Sequence, residues 1–300
     1  KILEKLKYRM FDNIFQNIIN KYLLRNNKRP YYFYFSIFKF LTKSNFILSF
    51  NNVKFYSSFE KKSLSRWMLK NLTQWDSQNI KKIIYFINKY NGTFIDCGCN
   101  FGAYSIPIAK KFKNRNIYAL DASPKAVCKL KKNINLNKLK NIKYFNIGVG
   151  DKNTKMYFND DIEKLKNDGS FRFSKIKTKQ KIRIVKLDYF FKNFDIKLKK
   201  NIIIKLDLEG FDFLALKGLK KTLKNSKVLI FIEISKMLLE NSKNFFLEFK
   251  IFIKKNNLYI YDLDLKKINI DQIIVSLNSL NFKKETIGDF IISNHKLLKP

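Results

Sequence analysis

From Asn91 onward, short apolar runs alternate with segments whose apolar residues recur at helical spacing, and polar turns separate the two. Thr93-Phe94-Ile95-Asp96-Cys97 reads as a strand entering a Gly-rich turn, with a helix over Tyr104 to Phe112 behind it. A strand over Asn116 to Leu120, a helix over Ser123 to Leu136 and a third strand over Ile142 to Val149 follow. After a polar insertion come the apolar runs Ile182 to Leu187 and Ile202 to Leu206, then a helix over Phe211 to Leu223 and the strand Val228 to Ile234. A helix over Phe245 to Lys255 and strands at Leu258 to Tyr261 and Phe290 to Ser293 close the pattern. Strands that are apolar along their whole length are buried on both faces, so the pattern predicts an α/β fold, a mostly parallel sheet with helices on both faces.

Residues 1–75 are different: they hold no glycine, many aromatics, and a helix-period stretch through Met10, Phe11, Ile14, Phe15, Ile18, Ile19, Tyr22 and Leu23. They read as a helical, partly extended, aromatic-rich amino-terminal region ahead of a domain over 76–300. Between Tyr31 and Phe50, aromatic residues are interrupted by little more than Lys39, Lys43 and polar residues. Packing onto the main domain is the favoured reading. The mixture of lysine and aromatics also suits a lid over a hydrophobic acceptor, or peripheral contact with an anionic membrane through 31–50. The polar stretch Asp160 to Lys181, with Gly169, Ser170 and Phe171, reads as a loop able to cover a site.

Charge changes this picture less than its size suggests. A net charge of +37 points to an anionic partner such as nucleic acid. The lysines are spread over every segment, however, and an A/T-rich genome gives the same bias, so drift and a functional basic surface both stay open. Apolar content of 46% is ordinary for a globular chain. Cys97, Cys99 and Cys128 are odd in number, and with His295 the one histidine they complete no metal site, so no metal is expected. Small buried thiols and a reducing cytoplasm fit, with the inner face of the membrane as a further location. No apolar run reaches the length of a membrane span, and secretion is not expected. Oligomeric state is not readable.

Special residues fall where strands end, the edge at which open α/β sheets bind ligands. Asp96-Cys-Gly-Cys-Asn-Phe-Gly102 closes the first strand, with Gly98 and Gly102 allowing a tight turn and close approach of a ligand. Asp96 can accept from a cationic amine, and Asn100 can bond the ligand or shape the turn. Three residues separate the glycines and an acid precedes them, unlike the dinucleotide pattern G-x-G-x-x-G, so a zwitterionic ligand is favoured over a diphosphate and a nicotinamide oxidoreductase is disfavoured. Asp121, at the next strand end, suits the two hydroxyls of a ribose, or a turn before Ser123-Pro124. Asp151, after Gly148-Val149-Gly150, is placed to accept an adenine amine or to make a simple turn. Lys205, Asp207 and Glu209 alternate along an extended segment and so share one face. There a carboxylate can take a hydroxyl proton, or the three can form a structural ion pair. Glu233 is a further acid on this rim.

Together, Phe94-Ile-Asp-Cys-Gly-Cys-Asn-Phe-Gly102, Ala119-Leu-Asp-Ala-Ser-Pro124, Asn146-Ile-Gly-Val-Gly-Asp151, Ile204-Lys-Leu-Asp-Leu-Glu-Gly210 and Phe231-Ile-Glu233 resemble the FkbM family of methyltransferases. The resemblance spans about residues 76–295. It implies a Rossmann-like class I methyltransferase fold with a seven-stranded sheet, S-adenosylmethionine as cofactor, and O-methylation of a sugar, glycan, lipid or secondary metabolite. By position, Asp96, Gly98, Asn100, Gly102 and Asp121 would hold the cofactor, while Lys205, Asp207, Glu209 and Gly210 would border the reaction centre. The family usually has Glu-Pro at Asp121-Ala122, and small or aliphatic residues at Cys97 and Cys99.

The expected chemistry is in-line displacement at a sulfonium methyl, with the acceptor oxygen held in near-attack geometry. Asp207 is the first candidate base and Glu209 the second; His295 reads as a surface residue. An RNA methyltransferase is the enzyme alternative, encouraged by charge but lacking the Asn/Asp-Pro-Pro-aromatic signature at Asp207. A non-catalytic module that keeps the fold for binding is the other.

Overall fold

The computed structural model describes residues 46–50, 52–57, 76–159, 172–173, 180–235, 244–273 and 286–297. The helical reading of the amino-terminal stretch, residues 31–45 of the aromatic segment, and most of the loop from Asp160 to Lys181 lie outside them. In chain order the described strands are β1 (Phe46–Phe50), β2 (Val53–Ser57), β3 (Thr93–Cys97), β4 (Ile117–Asp121), β5 (Ile142–Asn146), β6 (Gly148–Val149), β7 (Thr154–Asn159), β8 (Arg172–Phe173), β9 (Lys181–Val185), β10 (Asn201–Leu206), β11 (Lys227–Ser235), β12 (Tyr259–Tyr261) and β13 (Thr286–Ser293). The described helices are α1 (Ser77–Tyr90), α2 (Ser105–Lys111), α3 (Pro124–Leu136), α4 (Leu187–Asn193), α5 (Asp212–Lys217), α6 (Lys220–Asn225) and α7 (Phe245–Lys255). Two compact units meet in sequence at Trp75 and Asp76. In the first, β1 and β2 form an antiparallel hairpin in which Leu48, Val53 and Phe55 are buried.

In the second unit a seven-stranded sheet runs β12-β13-β11-β10-β3-β4-β5. Its pairings are parallel except for those of β13 with β11 and β12. The chain enters at β3, steps outward through β4 and β5, then returns to the other side of β3 with β10 and steps away in the opposite direction. The order reverses between β3 and β10, so the carboxyl ends of those two strands mark the position where such sheets take a ligand. Helices on both faces complete the α/β architecture that the apolar strands predict.

Alternation along the strands divides the core in two. Ile95, Cys97, Tyr118, Leu120, Ile204 and Ile230 face α4, α5, α6 and α7, whose Phe190, Phe213, Leu216, Leu223, Phe245 and Phe249 close over them. The other face is covered by α1 and α2. Helix α1 buries Ile80, Ile83, Phe86 and Ile87, and the Phe86 ring meets Phe231 of β11 edge-on at 6.1 Å. Each such side chain contributes about 1.5–3 kcal/mol by leaving water. At the joint of α2 and α3 sits Gly102, with φ +93°; a Cβ there would lie 2.6 Å from Leu130 Cδ1 and 2.8 Å from Ile106 Cγ1. Gly102→Ala is therefore expected to destabilise by about 2–3 kcal/mol, from left-handed backbone plus overpacking. Urea unfolding checks this, and a loss below about 0.5 kcal/mol would show that both side chains yield.

Three sequence expectations are corrected. The third strand ends at Asn146, not Val149: beyond Asp121, β4 has no more backbone to pair with, and Asn146 Nδ2 closes the ladder by donating to the Asp121 and Ala122 carbonyls at 3.0 Å. Gly148 and Val149 instead pair with Ile184 and Val185 in a separate four-stranded sheet, β6-β9-β7-β8. The helix over Phe211 to Leu223 breaks after Lys217. Gly218 accepts from the Asp188 amide at 3.1 Å, and Thr222 donates its amide to Asp188 Oδ1 at 2.9 Å, so Asp188 replaces the turn of helix that would join them. The third correction, at β10, belongs to the site.

Among the described residues no helix is long and apolar enough to cross a membrane.

Candidate active site

Strand β3 carries Asp96 to the sheet's carboxyl edge, with its side chain on the α1 and α2 face. In the β3–β10 register Asp96 lies opposite Lys205, whose charge acts on the Asp96 carboxyl through the core although its ion pair is with Asp207. Asp96 is fully buried and Oδ2 accepts from Ser105 Oγ, whereas Oδ1 has no hydrogen-bond partner among the described residues. Burial pushes this carboxyl upward, and Lys205 pulls it back down. A buried carboxylate oxygen lacking a donor suits the ammonium of a methionine moiety, so the residues present fit S-adenosylmethionine.

The turn after β3 is tied down by its own chain. Gly98 and Cys99 both donate their amides to the Leu120 carbonyl, at 2.9 and 3.1 Å. Gly98 has φ +79°, and a Cβ on it would lie 1.8 Å from the Asp207 carbonyl oxygen, so its missing side chain admits β10's continuation. Asn100, left-handed with φ 48°, donates its amide to Asp121 Oδ2 at 2.7 Å. Asp121 Oδ1 accepts from the Ser123 amide at 2.8 Å, while Ser123 Oγ caps α3 at the Ala126 amide. Burial lifts Asp121 to about 6 against those two donors. Each carboxylate oxygen retains a further lone-pair site, as a pair of ribose hydroxyls requires. Asp151 stands apart from this group: it follows β6, in the four-stranded sheet, and no strand of the main sheet ends beside it in sequence.

At β10 the alternation expected through Lys205, Asp207 and Glu209 stops. The strand ends at Leu206, and Glu209 is left-handed with φ 50°. The cause is Asp212, a fully buried acid missed in the sequence, whose two oxygens accept from the Leu208 and Gly210 amides at 3.0 and 3.2 Å and draw the chain into a turn. Lys205 and Asp207 remain together, Nζ to Oδ2 at 2.9 Å, with side-chain exposures of 7% and 39%. Lys205 also lies over the Tyr104 ring at 4.5 Å. Burial alone would lower the Lys205 ammonium, but Asp207, Asp96 and Asp289 together push it upward, so it stays charged and positions its neighbour. Asp207 is the solvent-facing member of the pair.

The same edge carries acids and a phenol that the sequence did not single out. Asp289 of β13 lies opposite Glu233 of β11. Asn79, in the first turn of α1, donates Nδ2 to Asp76 Oδ2 at 2.8 Å and to Asp289 Oδ2 at 2.7 Å. Tyr104 donates its hydroxyl to Asp76. Their signal in the sequence is slight, because β13 joins from far along the chain and Asp76 merely precedes an amphipathic helix. His295 lies at the other end of β13, its Nδ1 2.9 Å from Ser293 Oγ, away from this edge.

These acids give the fold a pH dependence of definite sign. Burial is the leading cause of a raised carboxyl at Asp212, to about 7, and at Asp121 and Asp289, to about 6. Folded values above the unfolded value of about 4 mean that the native state binds these protons more tightly. The penalty is full above about pH 7 and is relieved as pH falls through 7 and 6 toward 4. Tm is therefore expected to rise between about pH 8 and pH 5.5 in scanning calorimetry. A falling Tm over that interval would show that other groups compensate these acids.

Residues 96–261 match the family model described as the methyltransferase FkbM domain. A curated relative, the tRNA(Phe) (4-demethylwyosine(37)-C(7)) aminocarboxypropyltransferase of Methanocaldococcus jannaschii, is 37% identical over 70 residues, 23% of this chain. The match spans 28% of that relative's length. Among solved structures, M. jannaschii TYW2 in complex with AdoMet aligns over 83% of this chain and 84% of that one, with 17% identity and a TM-score of 0.38. Methyltransferase FkbM from Methylobacillus flagellatus KT aligns over 67% and 43%, with 14% identity and a TM-score of 0.37.

Proposed function

This chain belongs to the FkbM methyltransferase family and is an S-adenosylmethionine-dependent methyltransferase, and from that premise we propose that it methylates a hydroxyl oxygen on an acceptor without phosphate, such as a sugar, glycan, lipid or secondary metabolite. The observation that carries the proposal is the charge of the rim. Asp207, Asp289 and Asp76 lie on the edge where the sheet takes its ligand, and Lys205 is already engaged by Asp207. A phosphate about 5 Å from one such carboxylate is repelled by about 3 kcal/mol at an effective dielectric of about 20. A neutral hydroxyl escapes that cost and can donate to a carboxylate.

In this reading Asp96 and Asp121 hold the two polar ends of the cofactor, with Gly98, Asn100 and Gly102 shaping the turn between them and Asp151 near the adenine. S-adenosylmethionine supplies an electrophilic methyl group on a sulfonium. Asp207 takes the acceptor's proton on the oxygen that Lys205 does not hold, and Glu209 is the reserve candidate. Residues 76–300 make up the cofactor-binding domain, and residues 1–75 are an appended region.

RNA is the second reading. The curated relative is named for a tRNA substrate, and the charge of +37 suits a polyanion. The two are separated by incubating the full chain with methyl-tritiated S-adenosylmethionine and, in parallel, glycans or polyols, both neutral and amino-bearing, and total tRNA. Label in the glycan or polyol fraction is expected; label in tRNA alone would sink the hydroxyl proposal.

A further inference from the structure

One part of the rim is left unused by methyl transfer itself. Asn79 is 5% exposed, and its side chain is lodged between Asp76 and Asp289 by the two bonds from Nδ2. The Oδ1 of the same amide is buried without a hydrogen-bond partner among the described residues. Asp76 and Asp289 are only half-buried, so the group opens to solvent. Two carboxylates converge on one amide nitrogen, and their mutual repulsion adds to burial in raising Asp289. Lys205, the cation that lowers Asp289, is bonded to Asp207 and lies over the Tyr104 ring. Among the described residues no group of acids, histidines and cysteines is arranged to hold a metal ion.

What such an arrangement lacks is a positive hydrogen-bond donor. An ammonium has three N–H donors, and Asp76, Asp289 and the Asn79 amide oxygen are three acceptors. We propose that Asp76, Asn79 and Asp289 form a subsite for an ammonium group on the acceptor, which makes the substrate an amino-bearing alcohol such as an amino sugar. The inference rests on the reading that this rim faces a hydroxyl acceptor. A cationic acceptor also offsets the excess of carboxylates over Lys205 at this edge, which a neutral polyol would leave in place.

The test uses the full chain saturated with S-adenosylhomocysteine and titrated calorimetrically, near pH 7, with glucosamine, N-acetylglucosamine and glucose. Glucosamine is expected to bind at least about tenfold more tightly than either of the others, the increment of a charge-assisted hydrogen bond. Asp289→Asn and Asp76→Asn are each expected to erase that preference, with circular dichroism establishing that the variants fold. Equal binding of the three sugars, binding of none, or a preference that survives both substitutions would overturn the subsite. Tritium transfer to neutral hydroxyls alone would likewise remove the ammonium subsite while leaving hydroxyl methylation standing. Transfer to tRNA alone would remove both.

Discussion

Lys205→Met is expected to destabilise the protein by up to about 3–5 kcal/mol, the cost of leaving the buried Asp96 carboxyl without the cation that offsets its burial. The methionine stem replaces the lysine stem in volume, so the loss isolates the charge. Asp96 is then a fully buried carboxylate whose register partner across β10 is gone, and Asp207 loses its 2.9 Å bond. The double variant Lys205→Met/Asp96→Asn should recover much of the loss, because both charges have left the core together and the two sites are coupled. Urea unfolding of the four proteins measures this. The single variant should also lose more stability at pH 8 than at pH 5: with its cation removed, Asp96 is driven further upward, so the native state binds this proton more tightly and gains as pH falls. A loss below about 1 kcal/mol, equal at both pH values, would mean that solvent reaches Asp96 after all.

That pair also shows what the sequence makes legible. Residues buried on both faces of a parallel sheet read as continuous apolar runs, so β3, β10 and β11 are recovered nearly to the residue, and a charge within such a run, Asp96 or Lys205, stands out against it. The ends of strands are harder. The segment from Ile142 to Val149 crosses from one sheet into another with apolar residues on both sides of the break, Phe145 before it and Ile147 after, and the pairing partners, Asp121 on one side and Ile184 on the other, decide where it breaks. The break at Gly218 depends on Asp188, thirty residues earlier in the chain, and the turn at Glu209 depends on Asp212. A side chain that replaces a backbone hydrogen bond leaves no trace in hydrophobic periodicity. Helix α1 is a different case. Ile80, Ile83, Phe86 and Ile87 have helical spacing and were open to the same reading as α7, yet the helix was hidden in the aromatic context before Asn91. With it went Asp76 and Asn79, which meet Asp289 at the rim.

Asp207→Asn is expected to lower kcat by about a hundredfold to ten-thousandfold, the range for removal of a general base, and to change the affinity for S-adenosylmethionine little. The reason for a clean separation is the backbone. Asp207 is fixed by its main chain, its amide donating to the Cys97 carbonyl at 3.1 Å and its carbonyl packed against Gly98, so a change of side chain leaves the cofactor turn in place. Asparagine can still accept from Lys205, which preserves the contact and removes only the basicity. The measurement is steady-state kinetics on whichever hydroxyl acceptor takes tritium, alongside calorimetry with the cofactor. Glu209→Gln is the comparison. Glu209 sits in a left-handed turn held by Asp212, within reach of the same edge, and a larger loss there than at Asp207 would reassign the base. If neither substitution lowers kcat tenfold, proton removal is left to solvent and the rate derives from holding oxygen and methyl in line, which an effective molarity in the usual enzymatic range is large enough to supply. In that event the acids of the rim act on binding alone, and their substitution should appear in KM.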